Sequence, residues 1–539
     1  MLATLKVTSL YQDLNWRLVL IGFTASLGAM GFGFDNGWWG GALGLSEFQH
    51  KYGAYDSDLD QWAIPSDKTS VGTGTGSAGI ILGCILAPII TSRFGRKMGF
   101  MALSCLMIVG IILEASAIAS FWQLAVGRII VYSGIGLASN VVPTYLSECS
   151  PQRVRGAFLS LYSFFTSFGV FMATLVVYLC RNRSDNSQYL YGGFSYSQSI
   201  FICKLTKSST RRIVICCQLF VPVGYLLAFP FLPESPRYLV YRGKFDEAEE
   251  VMKKLYNHPE TITQEIEMLR VQIEEQRELH KATTVLDCFK GTNLRRTIAA
   301  MGVQIIQQAQ GVSFIQNFIV TFMQQMGFPD PLKTNVLVTG CSFVCHIITF
   351  VTFDKLGRRN SLFLGSVGLA ATMLGTGGAI ESSPTVADLS SQAKNACAAL
   401  LILWYCIYGF TWGPGCWIVT GEIGTGQLRE RTVFLASMGS FLTSVPINFV
   451  NPYVQSAIGG RVTFIYGAFS VVSLLFVWIC VPETSRRSLE ELDEMFQNKV
   501  PTWQFDKYVC SGIGAEITKL EHGELSEQKV VKVEVSTRD

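Results

Sequence analysis

Twelve uninterrupted apolar runs dominate the chain, near 18–45, 70–91, 98–120, 122–145, 157–180, 213–232, 297–325, 334–353, 361–381, 396–420, 433–457 and 461–481. Each is long enough to cross the ~30 Å hydrocarbon core of a bilayer as a helix, and within that core only a helix or a closed barrel satisfies its own backbone. The expected fold is an all-α membrane protein of twelve transmembrane helices. Charged residues make up 15% of the 539 positions, against roughly a quarter in soluble proteins, and this excludes a soluble domain. A net charge of +3 leaves no basic excess to neutralise phosphates, so the bilayer and not a nucleic acid is the expected partner. Most of the 15 cysteines, among them Cys84, Cys105, Cys216, Cys217, Cys341, Cys345 and Cys480, sit inside apolar runs. They read as small buried hydrophobes and not as a disulfide framework.

The first run begins at Leu18 and continues through a spanning length without a small-residue cleavage site, so it is expected to remain in the mature chain. Orientation is set by the short loops that retain Lys and Arg. Loops after spans 2, 4, 8 and 10 carry Arg93, Arg96 and Lys97; Arg153 and Arg155; Lys355, Arg358 and Arg359; and Arg429 and Arg431. These loops and both termini are expected in the cytosol. The mixed-charge segment 244–282 reads as short amphipathic helices beneath the membrane. The connection 181–212 breaks the rule: it should face outside yet carries Arg181, Arg183, Lys204, Lys207, Arg211 and Arg212. Its part 187–210 has no helical period and reads as a dispensable insertion, such as an intron translated in frame. Asn182-Arg-Ser184 is a glycosylation sequon close to a membrane end.

Three landmarks recur in the same order. Gly95-Arg96-Lys97 returns as Gly357-Arg358-Arg359, the pair Glu148 and Arg155 returns as Glu422 and Arg429, and Pro233-Glu234-Ser235 returns as Pro482-Glu483-Thr484. The chain therefore reads as a tandem duplication: an N-terminal six-helix half at 1–232, a cytosolic linker at 233–296, a C-terminal half at 297–482 and a cytosolic tail at 483–539. Repeats of this kind are the usual basis of alternating access, with substrate held between the halves near the midplane.

These residues resemble the sugar porters of the major facilitator superfamily, particularly fungal permeases of the hexose or maltose type, over about 18–496. The resemblance is carried by Arg93-Phe-Gly-Arg-Lys97, Gly127-Arg128, Glu148 through Arg155-Gly156, and Pro233-Glu-Ser-Pro-Arg237. The second half adds Gln307-Gln308 with Gly311, Asp354-Lys-Leu-Gly-Arg-Arg359, Gly413-Pro414 with Trp417, Glu422 to Arg429, Pro482-Glu-Thr484 and Leu489-Glu-Glu-Leu-Asp493. The chain departs from the family at Ser163, at Gln310 to Ser313, at Asn317-Phe318 and at Ser440-Phe441, positions that the resemblance places in the sugar site. Between spans 5 and 6 it carries extra residues in place of a short link.

Gln304, Gln307, Gln308 and Gly311 share one face at helical spacing, and buried amides need partners. That face is expected to line the cavity, with Gln307 and Gln308 bonding sugar hydroxyls; Gln304 and Gln310 read equally as polar glue between helices. Trp417 comes after a Gly-Pro-Gly break that would let its indole stack on a sugar ring, whereas an arbitrary Trp would more often belong to the interfacial belt. The resemblance adds Ser163, Ser313, Asn317 and Phe441 to the substrate-binding set. Arg96 and Arg358 lie at helix ends beside Glu148, Glu234, Glu422 and Glu483, which together with Arg155 and Arg429 form the expected gating latches; the plainer alternative is that these cations only fix topology.

Asp35 deep in span 1 and Arg128 in span 4 are expected to partner one another, because an unpaired charge at that depth costs about 2.5–3.5 kcal/mol. The resemblance assigns the two to proton coupling, with a structural ion pair as the alternative. Gly74-Thr-Gly-Ser-Ala-Gly79 matches a dinucleotide pattern but lies inside a span with no strand before it, so it reads as helix packing. No metal-ligand spacing, catalytic constellation or cofactor motif is present; His346 reads as a hydrogen-bonded core residue, and no enzyme is expected. The resemblance implies a monomeric, multi-pass sugar transporter of the plasma membrane, a sugar:proton symporter for a hexose or small glucoside. The alternatives are a facilitative uniporter or a non-transporting sugar sensor on the same fold.

Overall fold

The structure, a computed structural model, describes residues 15–56, 61–117, 120–150, 155–181, 210–256, 262–263, 266–271, 273–274, 284–382, 389–424, 428–485, 487, 489–508 and 510. The Asn182 sequon and, apart from Thr210, the segment 187–210 lie outside the described residues.

The first half comprises α1 (Trp16–Ala42), the short α2 (Ser46–Tyr52), a hairpin of β1 (Ala54–Asp56) and β2 (Gln61–Ala63) paired Ala54 to Ala63, α3 (Ser66–Phe94), α4 (Arg96–Ser116), α5 (Phe121–Cys149), α6 (Arg155–Cys180), α7 (Thr210–Cys217) and α8 (Phe220–Ala228). The linker holds α9 (Pro236–Tyr241) and α10 (Phe245–Leu255). The second half has α11 (Gly291–Gln307), α12 (Ser313–Gln325), α13 (Pro331–Leu356), α14 (Arg358–Glu381), α15 (Ser391–Phe410), α16 (Trp412–Ile423), α17 (Arg429–Ile458) and α18 (Val462–Cys480), then α19 (Leu489–Gln497).

Helix starts are set by side chains that accept otherwise orphaned N–H groups. Asn15 accepts from Arg17, Asp330 from Lys333 ahead of Pro331, and Ser390 from Ala393.

The sequence shows twelve apolar runs, whereas nine helical stretches among the described residues are long and apolar enough to cross a membrane unaided. The difference has local causes. One stretch, Arg431–Cys480, runs through both α17 and α18; the sixth span is split into α7 and α8 around Gln218 and Leu219; and the polar seventh span is interrupted between α11 and α12. At that last break, Gln308–Val312 form a π-helical turn in which Gly311 adopts φ 108°. A side chain there would be strained, and its Cβ would lie 2.9 Å from the Tyr466 ring.

The buried apolar residues fall into separate clusters. One gathers Leu18 to Leu255 and the other Ala299 to Cys510. A third, small cluster of Leu239, Val240, Ala248, Met252, Ile262, Ile266 and Ile273 lies in the linker. Residues past 483 join the second cluster, because Leu492, Met495, Phe496 and Phe505 are buried in it.

The glycine run of α3 packs against α5, as the sequence suggests. A Cβ at Gly79 would lie 2.6 Å from the Ile129 carbonyl, and one at Gly83 would lie 2.1 Å from that of Ser133. The halves touch at the end opposite the Gly-Arg turns. There Asp330 accepts from Arg181 at 2.6 Å, Ser70 donates to the Phe449 carbonyl at 2.5 Å, and Gln49 donates to Gln324 at 3.0 Å.

Candidate functional site

The π-helical turn makes a polar ladder. Gln308 donates from Nε2 to Ser440 Oγ on α17 (3.1 Å), Ser313 donates from Oγ to Gln308 Oε1 (3.2 Å), and Asn317 donates to the Ser313 carbonyl (3.2 Å). Phe441, next to Ser440, packs against the core cluster of the other half, which sets the ladder at the seam between the halves. Helical spacing puts Gln304, Gln307 and Gln308 on one broad face, and that face meets two neighbouring helices. Gln304 and Gln307 face α16, donating to Thr420 Oγ1 at 3.3 Å and to the Trp412 carbonyl at 3.0 Å, whereas Gln308 faces α17. Adjacent residues of a helix stand about 100° apart, so Gln307 and Gln308 reach different neighbours; the π-helical turn rotates only the residues that follow it, Ser313 and Asn317 among them. Gln310 is buried, and neither amide atom has a hydrogen-bond partner. Trp417 is 46% exposed on α16, while Trp412 five residues before it is buried and donates to the Leu362 carbonyl. Ser163 is half-buried on α6.

The structure does not join Asp35 to Arg128 directly. Asp35 Oδ1 accepts from Trp38 Nε1 at 2.8 Å. Arg128 donates from Nε to the Gly72 carbonyl at 2.8 Å and from Nη2 to the Tyr132 hydroxyl at 3.0 Å. The guanidinium carbon stands 3.9 Å from the Trp39 ring centroid, 4.9 Å from that of Tyr132 and 5.3 Å from that of Trp38. Those rings occupy the space an ion pair would need and stabilise the cation through their faces. Asp35 Oδ2 and Arg128 Nη1 are left without hydrogen-bond partners. One carboxylate of the same cluster was not anticipated: Glu114 on α4, 1% exposed, has neither oxygen hydrogen bonded. It is a single acid in an otherwise apolar run, and that was the signal available for finding it.

The two Gly-Arg turns are built alike. Gly95 and Gly357 adopt φ 96° and 82°. Glu234 accepts from Arg96 N at 2.9 Å and Lys97 N at 3.2 Å, and Glu483 accepts from Arg358 N at 2.9 Å and Arg359 N at 3.2 Å. Each acid therefore caps the N-terminus of a spanning helix, where anions are favoured. The arginine side chains turn to the other acids, Arg96 to Glu148 at 2.8 Å and Arg358 to Glu422 at 3.0 Å. Glu148 also accepts from Ser235 and Glu422 from Thr484, both at 2.6 Å. These pairs lie within one half each. Burial pushes the Glu234 carboxyl up, opposed by the N–H groups it accepts from. Arg429 donates to the Gly421 carbonyl at 2.9 Å and not to Glu422, and Arg155 begins α6. His346 is half-buried, with Nδ1 2.9 Å from the Ser342 carbonyl one turn before it.

Comparison with known proteins agrees with this architecture. Residues 21–496 match the family described as "Sugar (and other) transporter". The chain is 26% identical to the high-affinity glucose transporter ght2 of Schizosaccharomyces pombe, over 97% of this chain and 93% of that one. It is also 26% identical to the low-affinity glucose transporter HXT3 of Saccharomyces cerevisiae, over 93% and 85%. Among solved structures, the partially occluded inward-open xylose transporter XylE of E. coli superposes with TM-score 0.70 at 21% identity, covering 87% of this chain and 99% of that one. The proton:xylose symporter XylE bound to 6-bromo-6-deoxy-D-glucose gives 0.68 at 21%, covering 89% and 99%.

Proposed function

The chain belongs to the sugar transporter family of the major facilitator superfamily, whose members matched here are transporters and not enzymes, and on that premise we propose that it carries a hexose or small glucoside across the plasma membrane by sugar:proton symport. The observation that carries the sugar reading is the ladder of Gln308, Ser440, Ser313 and Asn317 at a helix break on the seam between the halves. Amides and hydroxyls supply both donors and acceptors to sugar hydroxyls, and the side chains already hydrogen bonded to one another exchange those bonds for bonds to the ligand. Gln307, Trp417, Ser163 and Phe441 complete the proposed site, with the indole stacking on a pyranose face.

Transport proceeds by rocking of one half on the other about this site. The contacts at the end opposite the Gly-Arg turns, Arg181 with Asp330 among them, support reading this conformer as closed outward. Arg96, Glu148, Glu234 and Arg155, with their counterparts Arg358, Glu422, Glu483 and Arg429, act as gating latches, pairs that switch between two packings as the halves rock. The termini, the linker and the tail lie in the cytosol, on the side of the basic loops, and a monomer suffices for the cycle. Coupling resides in the buried charges of Asp35 and Arg128: a proton arriving there changes the net charge of the first half's interior, and with it the preference between two packings.

Growth of a yeast lacking its own hexose carriers and expressing this chain, on a panel of single sugars, tests the substrate class. Growth on none of them despite protein at the surface would refute carriage and favour a sensor.

A further inference from the structure

Glu114 on α4 lies against Gly127-Arg128 of α5. A Cβ at Gly127 would lie 2.7 Å from Glu114 Cγ and 2.9 Å from its backbone nitrogen. The missing side chain of Gly127 is what lets α4 press this carboxyl against the start of the Arg128 turn. Among the described residues, the charged and titratable groups around it are Asp35 from α1, and Arg128 and its hydrogen-bonded neighbour Tyr132 from α5; the neutral Gln218, just after α7, also faces it. Glu114 is 1% exposed and Gln218 3% exposed, and neither the carboxylate nor the amide has a hydrogen-bond partner.

The cluster holds two carboxyls and one guanidinium. With both acids ionised it would carry a net negative charge inside the bilayer, far costlier than a neutral assembly. Asp35 has a donor in Trp38, whereas Glu114 has none, and two acids that share one cation bind a proton as a unit. We propose that Glu114 is a second titrating carboxyl of the coupling site, so that Asp35 and Glu114 hold one exchangeable proton between them against Arg128. The inference rests on the symport reading and deepens it. The proton adds to a carboxylate oxygen on one side of the membrane and leaves it on the other, with no other bond made or broken. When bound, it converts Glu114 into a donor, and the facing Gln218 amide, itself without a hydrogen-bond partner, offers an acceptor.

The test uses the full-length protein in liposomes. Infrared difference spectra on raising the pH detect the carbonyl stretch of a protonated buried carboxyl, and labelled D-glucose uptake with a pH-sensitive dye in the lumen reads coupling. Wild type should show the band and sugar-evoked proton movement; Glu114→Gln, which leaves Asp35 balanced by Arg128, should lose both while still exchanging sugar down its gradient. Glu114→Asp, and the double variant Glu114→Gln with Gln218→Glu that moves the acid to the facing side chain, should restore them and so exclude mere misfolding. A Glu114→Gln protein that keeps the band and the coupling of wild type overturns this proposal and leaves symport through Asp35 intact. A wild type that carries sugar without moving protons overturns the symport reading and, with it, the role of Glu114 in transport.

Discussion

Gly95→Ala and Gly357→Ala test the duplicated turn quantitatively. At φ 96°, ψ 169° and φ 82°, ψ 153° an alanine would sit in an extended positive-φ region that essentially only glycine adopts, at a cost of roughly 1–3 kcal/mol. Its Cβ would also stand 2.3 Å from Glu234 Oε2 in the first turn and 2.6 Å from Glu483 Oε2 in the second. The carboxylate must therefore withdraw from the two backbone N–H groups it caps. Those are charge-assisted bonds, and after discounting for partial exposure each is worth about 1 kcal/mol. The sum is about 3–5 kcal/mol per turn. Unfolding of the purified protein in mixed micelles by increasing sodium dodecyl sulfate, extrapolated linearly, measures it. Because the two turns share one geometry, both variants should lose the same amount within about 1 kcal/mol. A loss below ~1 kcal/mol in either, or a large loss in one alone, would refute the claim that the two acids serve as equivalent caps that need a bare glycine.

Three further outcomes are expected from the same geometry. Gln307→Ala and Trp417→Ala should each raise the apparent KM of sugar uptake about 5- to 30-fold, from a lost hydroxyl bond or stacking contact of about 1–2 kcal/mol, with surface expression preserved; an unchanged KM in both removes them from the site. Arg181→Ala should shift spin-label distances across the outer end toward longer values, and exchanging the charges as Arg181→Asp with Asp330→Arg should reverse the shift; no change in either sample denies the bridge any part in closure. Asp35→Asn should abolish uphill accumulation yet keep exchange of labelled sugar, since it removes one titrating acid without altering size; full accumulation by this variant would leave Asp35 structural.

The duplication was legible because its carriers are local: a positive-φ glycine, an arginine at a helix start and an acid after the last span of each half recur in order, and chemistry fixes what each must touch. Spans were legible because bilayer thickness sets a minimum apolar length. What periodicity missed lies where helices deviate or meet. The π-helical turn at Gln308–Val312 shifts the register of Ser313 and Asn317 relative to Gln304 and Gln307, and only Gly311 in the sequence marks the place. Asp35 and Arg128 were matched by charge, yet Trp38 and Trp39, close to the acid in the chain, intercept the guanidinium. Glu114 escaped because one acid in an apolar helix has no periodic signature; its meaning comes from Gly127 and Arg128 on another helix.

The proposed symport couples sugar movement and proton movement in one cycle. Purified protein in liposomes, given a sugar gradient across a membrane with no imposed pH difference, tests it with a lumenal pH dye. Inward sugar flux should acidify the lumen, in proportion to sugar carried, and a protonophore should abolish the pH change while leaving downhill sugar flux. Sugar flux with no change in lumenal pH, and an uptake rate indifferent to external pH, would contradict symport and identify the chain as a facilitator.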